Sequence, residues 1–227
     1  MTLSERLRTA MAAVAEPDRA PKMQAYMKSA MPYLGVSAVP LRKVCNLVFA
    51  DVHYADSTAW QADVRGLWAS ARFREEYYAA IELCTHKAAR PFQRIDALPL
   101  YRDMLVSGAW WDVVDAIACH PLHSLLKNDR AAMTAAMRRW SGDENIWLRR
   151  SAIICQNRAG TAVDLDLLYT CIEPSLVSKE FFLRKAIGWA LREVAWHNPD
   201  EVRRYVAANE GRLSGLSKRE ALKNIGG

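Results

Sequence analysis

The chain has 227 residues, 51% apolar and 25% charged, and its 31 Lys and Arg against 25 Asp and Glu leave a formal net charge of +6. That balance belongs to a globular protein with material for a substantial core, and it excludes a chain built around membrane spans, since no run of about 18 uncharged apolar residues occurs. The basic excess points to an acidic partner, nucleic acid above all, with a basic but indifferent surface as the alternative.

Met1 to Ala15 sets Glu5, Arg6 and Arg8 among its apolar residues, which is unlike a secretory leader. Punctuation follows at Glu16-Pro17-Asp18, Gly35 and Val39-Pro40, each a helix start or stop. Ser57 offers the short side-chain oxygen of an N-cap. Ala71–His86 carries apolar residues at three- and four-residue spacing and predicts a helix, with Glu75 and Glu76 on its solvated face. Breaks recur at Arg90-Pro91 and His120-Pro121. The stretch Cys119-His120-Pro121-Leu122-His123 is interrupted by its proline and has no second Cys/His cluster, so no metal site is expected. Asp143 reads as the N-cap of a helix over Ile146–Arg158, and Glu180–His197 repeats the helical pattern after the break at Glu173-Pro174-Ser175. Asn198-Pro199-Asp200 marks one more boundary.

Roughly a dozen helices of about 10–18 residues follow from these signals. No Asn-Gly or Asp-Gly hairpin and no glycine-rich phosphate loop appear, which argues against an α/β nucleotide-binding fold. The five cysteines (Cys45, Cys84, Cys119, Cys155, Cys171) are far apart and odd in number, so a reducing cytoplasm is expected rather than a disulfide framework. The expected architecture is all-α, with helices in antiparallel pairs stacked as in a HEAT-type solenoid and one domain over 1–227. An irregular helical bundle is the alternative, because no clean repeat period is visible.

Three stretches could carry chemistry. In Ser107–Asp115, Trp111 and Asp115 stand four apart and share a helix face, while Asp112 points elsewhere. An indole beside a carboxylate suits a cationic ligand or transition state. Spacing alone favours the plainer reading, a core tryptophan at 110 or 111 and a solvated acid. Between Asp143 and Ser151, the neighbours Arg149 and Arg150 face different ways, so at most one reaches a groove, and ordinary surface arginines are as good a reading. Between Ser178 and Glu193, Gly188 costs a helix about 1 kcal/mol against alanine and implies close approach to its backbone. Trp189 and Arg192 share a face there, an aromatic beside a cation, and the plainer reading is a packed tryptophan with a glycine that accommodates a neighbouring helix.

These stretches together resemble the AlkD-like family of DNA alkylation repair glycosylases. The resemblance is carried by "WWDVVD" at Trp110–Asp115, "ENIWLRRSAI" at Glu144–Ile153, "SKEFFLRKAIGWALRE" at Ser178–Glu193 and "LSKREALK" at Leu216–Lys223, with "MQAYMKSAMPYLGV" at Met23–Val36 less specific. It implies a curved stack of HEAT-like helical pairs whose concave face holds duplex DNA. Trp111, Asp115 and Trp189 would then form the catalytic cleft, and Arg150, Arg192, Tyr26 and Arg42 would contact the DNA backbone. An extra residue between Gly35 and Arg42 blurs the match at Arg42. The implied activity is hydrolysis of the N-glycosidic bond of cationic N3- and N7-alkylated purines in double-stranded DNA by a cytoplasmic monomer, with no metal or cofactor. Alternatives are a self-resistance glycosylase for bulky natural-product adducts, a non-catalytic DNA-binding relative, and a HEAT-type protein-interaction scaffold.

Overall fold

Proline, glycine and short polar residues divide residues 1–225, the part described by this computed structural model, into fourteen α-helices joined by short 3-10 and π turns, with no strand among the described residues. The chain forms two units, Met1–Gln93 and a second that begins at Arg94.

The first unit holds α1 (Leu3–Ala12), α2 (Ala20–Met27), α3 (Ala38–Val48), α4 (Ser57–Ala69) and α5 (Arg74–Thr85). Leu7, Met11, Phe49, Trp60 and Leu83 fill its core. Gly35 has φ +85°, and a Cβ there would lie 2.0 Å from the Glu16 carbonyl oxygen, so only glycine fits this turn. Glu75 and Glu76 are not on a solvated face: they are 0% and 4% exposed. The Glu75 carboxylate accepts from the backbone N–H groups of Leu34, Gly35 and Val36 at 2.9–3.1 Å. Those amides belong to no helix and need an acceptor. Burial raises the Glu75 pKa, opposed by these bonds. Glu76 pairs with Arg8 at 2.8 Å.

The second unit runs α6 (Leu98–Gly108), α7 (Trp111–Ile117), α8 (His123–Asn128), α9 (Arg130–Ser141), α10 (Ile146–Ile154), α11 (Leu165–Ile172), α12 (Phe181–Ala195), α13 (Pro199–Ala208) and α14 (Gly215–Leu222). Tyr101, Met104, Ile117, Leu125 and Leu183 are among its fully buried side chains. α10 packs on α7, α9 and α12, and α14 packs on α12.

The helices, of 6 to 15 residues, are shorter than the periodicity predicts. α11 passes directly into a 3-10 turn at Glu173–Ser175, and the caps sit elsewhere: Asp56 rather than Ser57 caps α4, and Asn145 rather than Asp143 caps α10. His120-Pro121 does not break the chain. The missing proline N–H is absorbed in a π turn at Ala118–Leu122 that joins α7 to α8. No helix among the described residues is long and apolar enough to cross a membrane.

Candidate active site

The site is assembled by three neighbouring helices, α7, α10 and α12. The chain enters α7 through Ala109, at φ 26°, and an extended Trp110. Trp111 therefore opens the helix and Asp115 lies one turn on, with Cβ atoms about 5–6 Å apart. Trp110 packs against Trp147 and Phe182, with ring centroids 6.0 and 5.3 Å away, and its indole nitrogen is enclosed. Trp111, like Trp110, is half-buried.

α10 brings Arg150 to Asp115. Arg150 Nε donates to Oδ1 at 2.7 Å and Nη2 to Oδ2 at 2.8 Å, a two-point pair, while Nη1 donates to the Phe182 carbonyl at 2.6 Å. The Arg150 side chain is 6% exposed and that of Asp115 19%. In the structure Arg150 is thus the clamp of the acid, and only the N–H bonds beyond these three are left for the phosphate contact expected from sequence. Burial pushes the Asp115 carboxyl above the ordinary aspartate range. The bonds and charge of Arg150 oppose that rise, and Asp112 adds to it.

α12 supplies Trp189, half-buried, whose indole Nε1 donates to Glu193 Oε1 at 2.8 Å one turn along. Trp189 and Arg192 do not form a matched pair. Arg192 Nη1 donates to Glu220 Oε2 at 2.6 Å, and Lys185 reaches Glu220 Oε1 at 2.8 Å, which together hold the Glu220 carboxyl below its usual range. The expected close approach at Gly188 is present and comes from α14. A Cβ there would meet Glu220 Cβ at 2.4 Å and the Ser217 carbonyl oxygen at 3.0 Å. Tyr26 and Arg42 belong to the first unit. Tyr26 is 75% exposed on α2, and Arg42, on α3, stands 3.7 Å from Glu82.

Sequence reasoning assigned no role to Glu193 or to the aromatic packing of Trp110, Trp147 and Phe182. The four-residue step from Trp189 to Glu193 was the available signal for the first. Nothing local signals the second, because the rings converge from three helices.

The arrangement offers a fixed, partly open carboxylate with one indole, Trp111, on its own helix and another, Trp189, on α12, which packs against α10. It can oppose positive charge developing at a reacting centre.

Among solved structures, a predicted DNA alkylation repair enzyme from Enterococcus faecalis is 27% identical, with a TM-score of 0.83, over 93% of this chain and 96% of that one. The Pseudomonas fluorescens alkylpurine DNA glycosylase AlkC, bound to DNA containing an abasic site analog, shares the fold at a TM-score of 0.57 and 17% identity, over 99% of this chain and 65% of that one. No curated protein matches the chain by sequence. The model of the DNA alkylation repair enzyme family matches residues 7–225. All-helical, with its HEAT-like architecture shared with such enzymes, the chain belongs to the DNA alkylation repair enzyme family.

Proposed function

We propose that the protein is a monofunctional DNA glycosylase that hydrolyses the N-glycosidic bond of cationic N3- and N7-alkylated purines, 3-methyladenine and 7-methylguanine, in duplex DNA and leaves an abasic site. The observation that carries this reading is the Asp115 carboxylate, held by Arg150 in a two-point pair yet still open to solvent. Family membership over residues 7–225 supports treating the chain as one working glycosylase domain. The AlkC neighbour, solved on DNA, supports DNA as the partner. A cytoplasmic location fits five cysteines that form no disulfide, and the reading takes the protein to act as a monomer.

Alkylation at N3 or N7 makes the purine cationic, so the C1′–N bond can break with its electron pair leaving on a neutral base. The barrier is the positive charge that builds on the deoxyribose. Asp115, ionised, opposes that charge and orients the water whose oxygen bonds to C1′ as its proton is released. Trp111 and Trp189 pack against the sugar and backbone and add quadrupole attraction as the sugar becomes cationic. Arg150 holds the acid in place, and Arg192, Tyr26 and Arg42 contribute backbone contacts.

Single-turnover release of 7-methylguanine from methylated duplex DNA tests this reading. Asp115→Asn keeps the shape and loses the charge, and its rate should fall by about 10²–10³. Duplex binding should change little, and Asp112→Asn should cost much less. Trp111→Ala and Trp189→Ala should fall between. A parent-like rate in Asp115→Asn would remove this carboxylate from the chemistry.

A further inference from the structure

Beyond the Asp115–Arg150 pair, further groups lie near and past the C-terminal ends of the three site helices. Asp115 is followed by Cys119 and His123, Arg150 by Arg158 just past the end of α10, and Trp189 by Glu193 and Trp196. The far ends of α10 and α12 enclose a cavity of about 210 Å³ whose lining includes Asn157, Arg158, Gly160, Glu193, Val194 and His197.

Four observations bear on what this cavity takes. Arg158 is exposed and enters no ion pair among the described residues. Its charge is felt nearby: burial first, and then Lys127 and Arg158, hold the His123 imidazole below its ordinary value against the pull of the Cys155 carbonyl. Asn157 Nδ2 is enclosed and has no hydrogen-bond partner among the described residues. Glu193, the acid of the lining, is already engaged by the Trp189 indole, so donors dominate the rest.

Beside the cavity, between Val194 and His197 in the chain, stands Trp196. It is 63% exposed, whereas Trp60, Trp140 and Trp147 are at most 8% exposed. It stands seven positions after Trp189, as the C-cap of α12 with helical backbone angles, which returns it to nearly the same face about 10 Å further along the axis. At about 3.4 Å of rise per nucleotide on one strand, that is a reach of at most about three nucleotides.

We propose that this cavity and the Trp196 indole form a second subsite for the DNA sugar–phosphate backbone, within three nucleotides of the lesion. A phosphodiester sits against Arg158 and the His197 edge, and the adjoining deoxyribose lies on the indole face. A free phosphate would use the cation and leave the indole idle; a nucleotide unit of a strand uses both. The inference rests on the glycosylase reading above and extends its footprint beyond the reacting sugar.

Duplex binding tests it, with a fluorescent DNA holding a tetrahydrofuran abasic analogue titrated by polarisation at several salt concentrations. Arg158→Ala should weaken binding and lower the slope of log K against log salt by about one unit. Trp196→Ala should weaken binding about tenfold with the slope unchanged. Both positions are exposed, so folding should survive, and equal thermal midpoints check it. Arg139→Ala, which removes the same charge from α9, should change binding less than Arg158→Ala does. If the parent binds duplex DNA and excises 7-methylguanine while Arg158→Ala and Trp196→Ala match it in affinity and slope, the subsite is wrong and the glycosylase reading stands. If inorganic phosphate raises the melting point of the parent but not of Arg158→Ala, and both variants bind DNA normally, the cavity serves a small anion and the proposal falls. Failure of the parent to bind duplex DNA removes the underlying reading itself.

Discussion

Arg150 gives three of its five N–H bonds to Asp115 and the Phe182 carbonyl, and this decides at what pH the acid can work. Asp115 acts ionised, and burial lifts its pKa above the ordinary 3.8 while Arg150 pulls it back. The single-turnover rate should therefore rise with pH along a limb lying above the ordinary aspartate range. In Arg150→Met the downward pull is gone, so the limb should move to higher pH. The plateau should also be lower, because the carboxylate loses its clamp. A pH–rate profile checks both, and a limb that stays put or moves down would contradict the assignment. The sign for stability is opposite to that for activity. A carboxyl whose folded pKa is raised favours the fold most below its unfolded value and loses that contribution as pH climbs through the folded one. The spacing of Trp111 and Asp115 places them on one helix face without deciding for a site, and it is the family resemblance that singles them out. The sequence could not show the partner of Asp115, because Arg150 lies 35 residues away and on another helix.

A glycine inside a helix is visible in a sequence as a local cost, and at Gly188 the cost has an identifiable return. α14 lies so close that Glu220 Cβ would be 2.4 Å from a new methyl group and the Ser217 carbonyl oxygen 3.0 Å. Ser217 Oγ also donates to the Arg184 carbonyl at 2.9 Å, fixing the helices in register. Backbone atoms cannot swing aside as a side-chain tip can. Gly188→Ala should therefore destabilise by about 1–3 kcal/mol despite its better helix propensity. Each kcal/mol lowers the thermal midpoint of a chain this size by roughly 2–4 °C, and a melting curve measures it. An unchanged or higher midpoint would mean that α14 yields. Helix identity was legible because apolar spacing survives in a single chain, but helix ends were not. Asp56 and Asn145 compete with neighbours of equal capping chemistry, and only the backbone path selects them. The Glu75–Glu76 pair was misread for a related reason. Its backbone donors at Leu34, Gly35 and Val36 lie 39–41 residues away, beyond any helical pattern.

At the scale of the whole molecule, a net charge of +6 favours encounter with DNA without selecting a base. Selection has to come from the leaving group. The proposed site opposes charge on the sugar and offers nothing yet identified that would protonate a neutral base. Release should be fast from 7-methylguanine and slow or absent from uracil or hypoxanthine in the same duplex context. Efficient uracil release would show that another group activates the base. The curvature and concave face implied by family resemblance leave no local mark in a sequence, because they depend on how successive helices turn against one another. Alkylating agents also attack sulfur, and thiolates are among the strongest nucleophiles a protein carries. All five cysteines here are buried. Burial pushes Cys45, Cys119 and Cys171 up to about 12, and Cys155 well above its ordinary value. At neutral pH those four thiols are protonated as well as enclosed. At these four thiols a member of an alkylation-repair family thus offers little to the electrophiles that create its work.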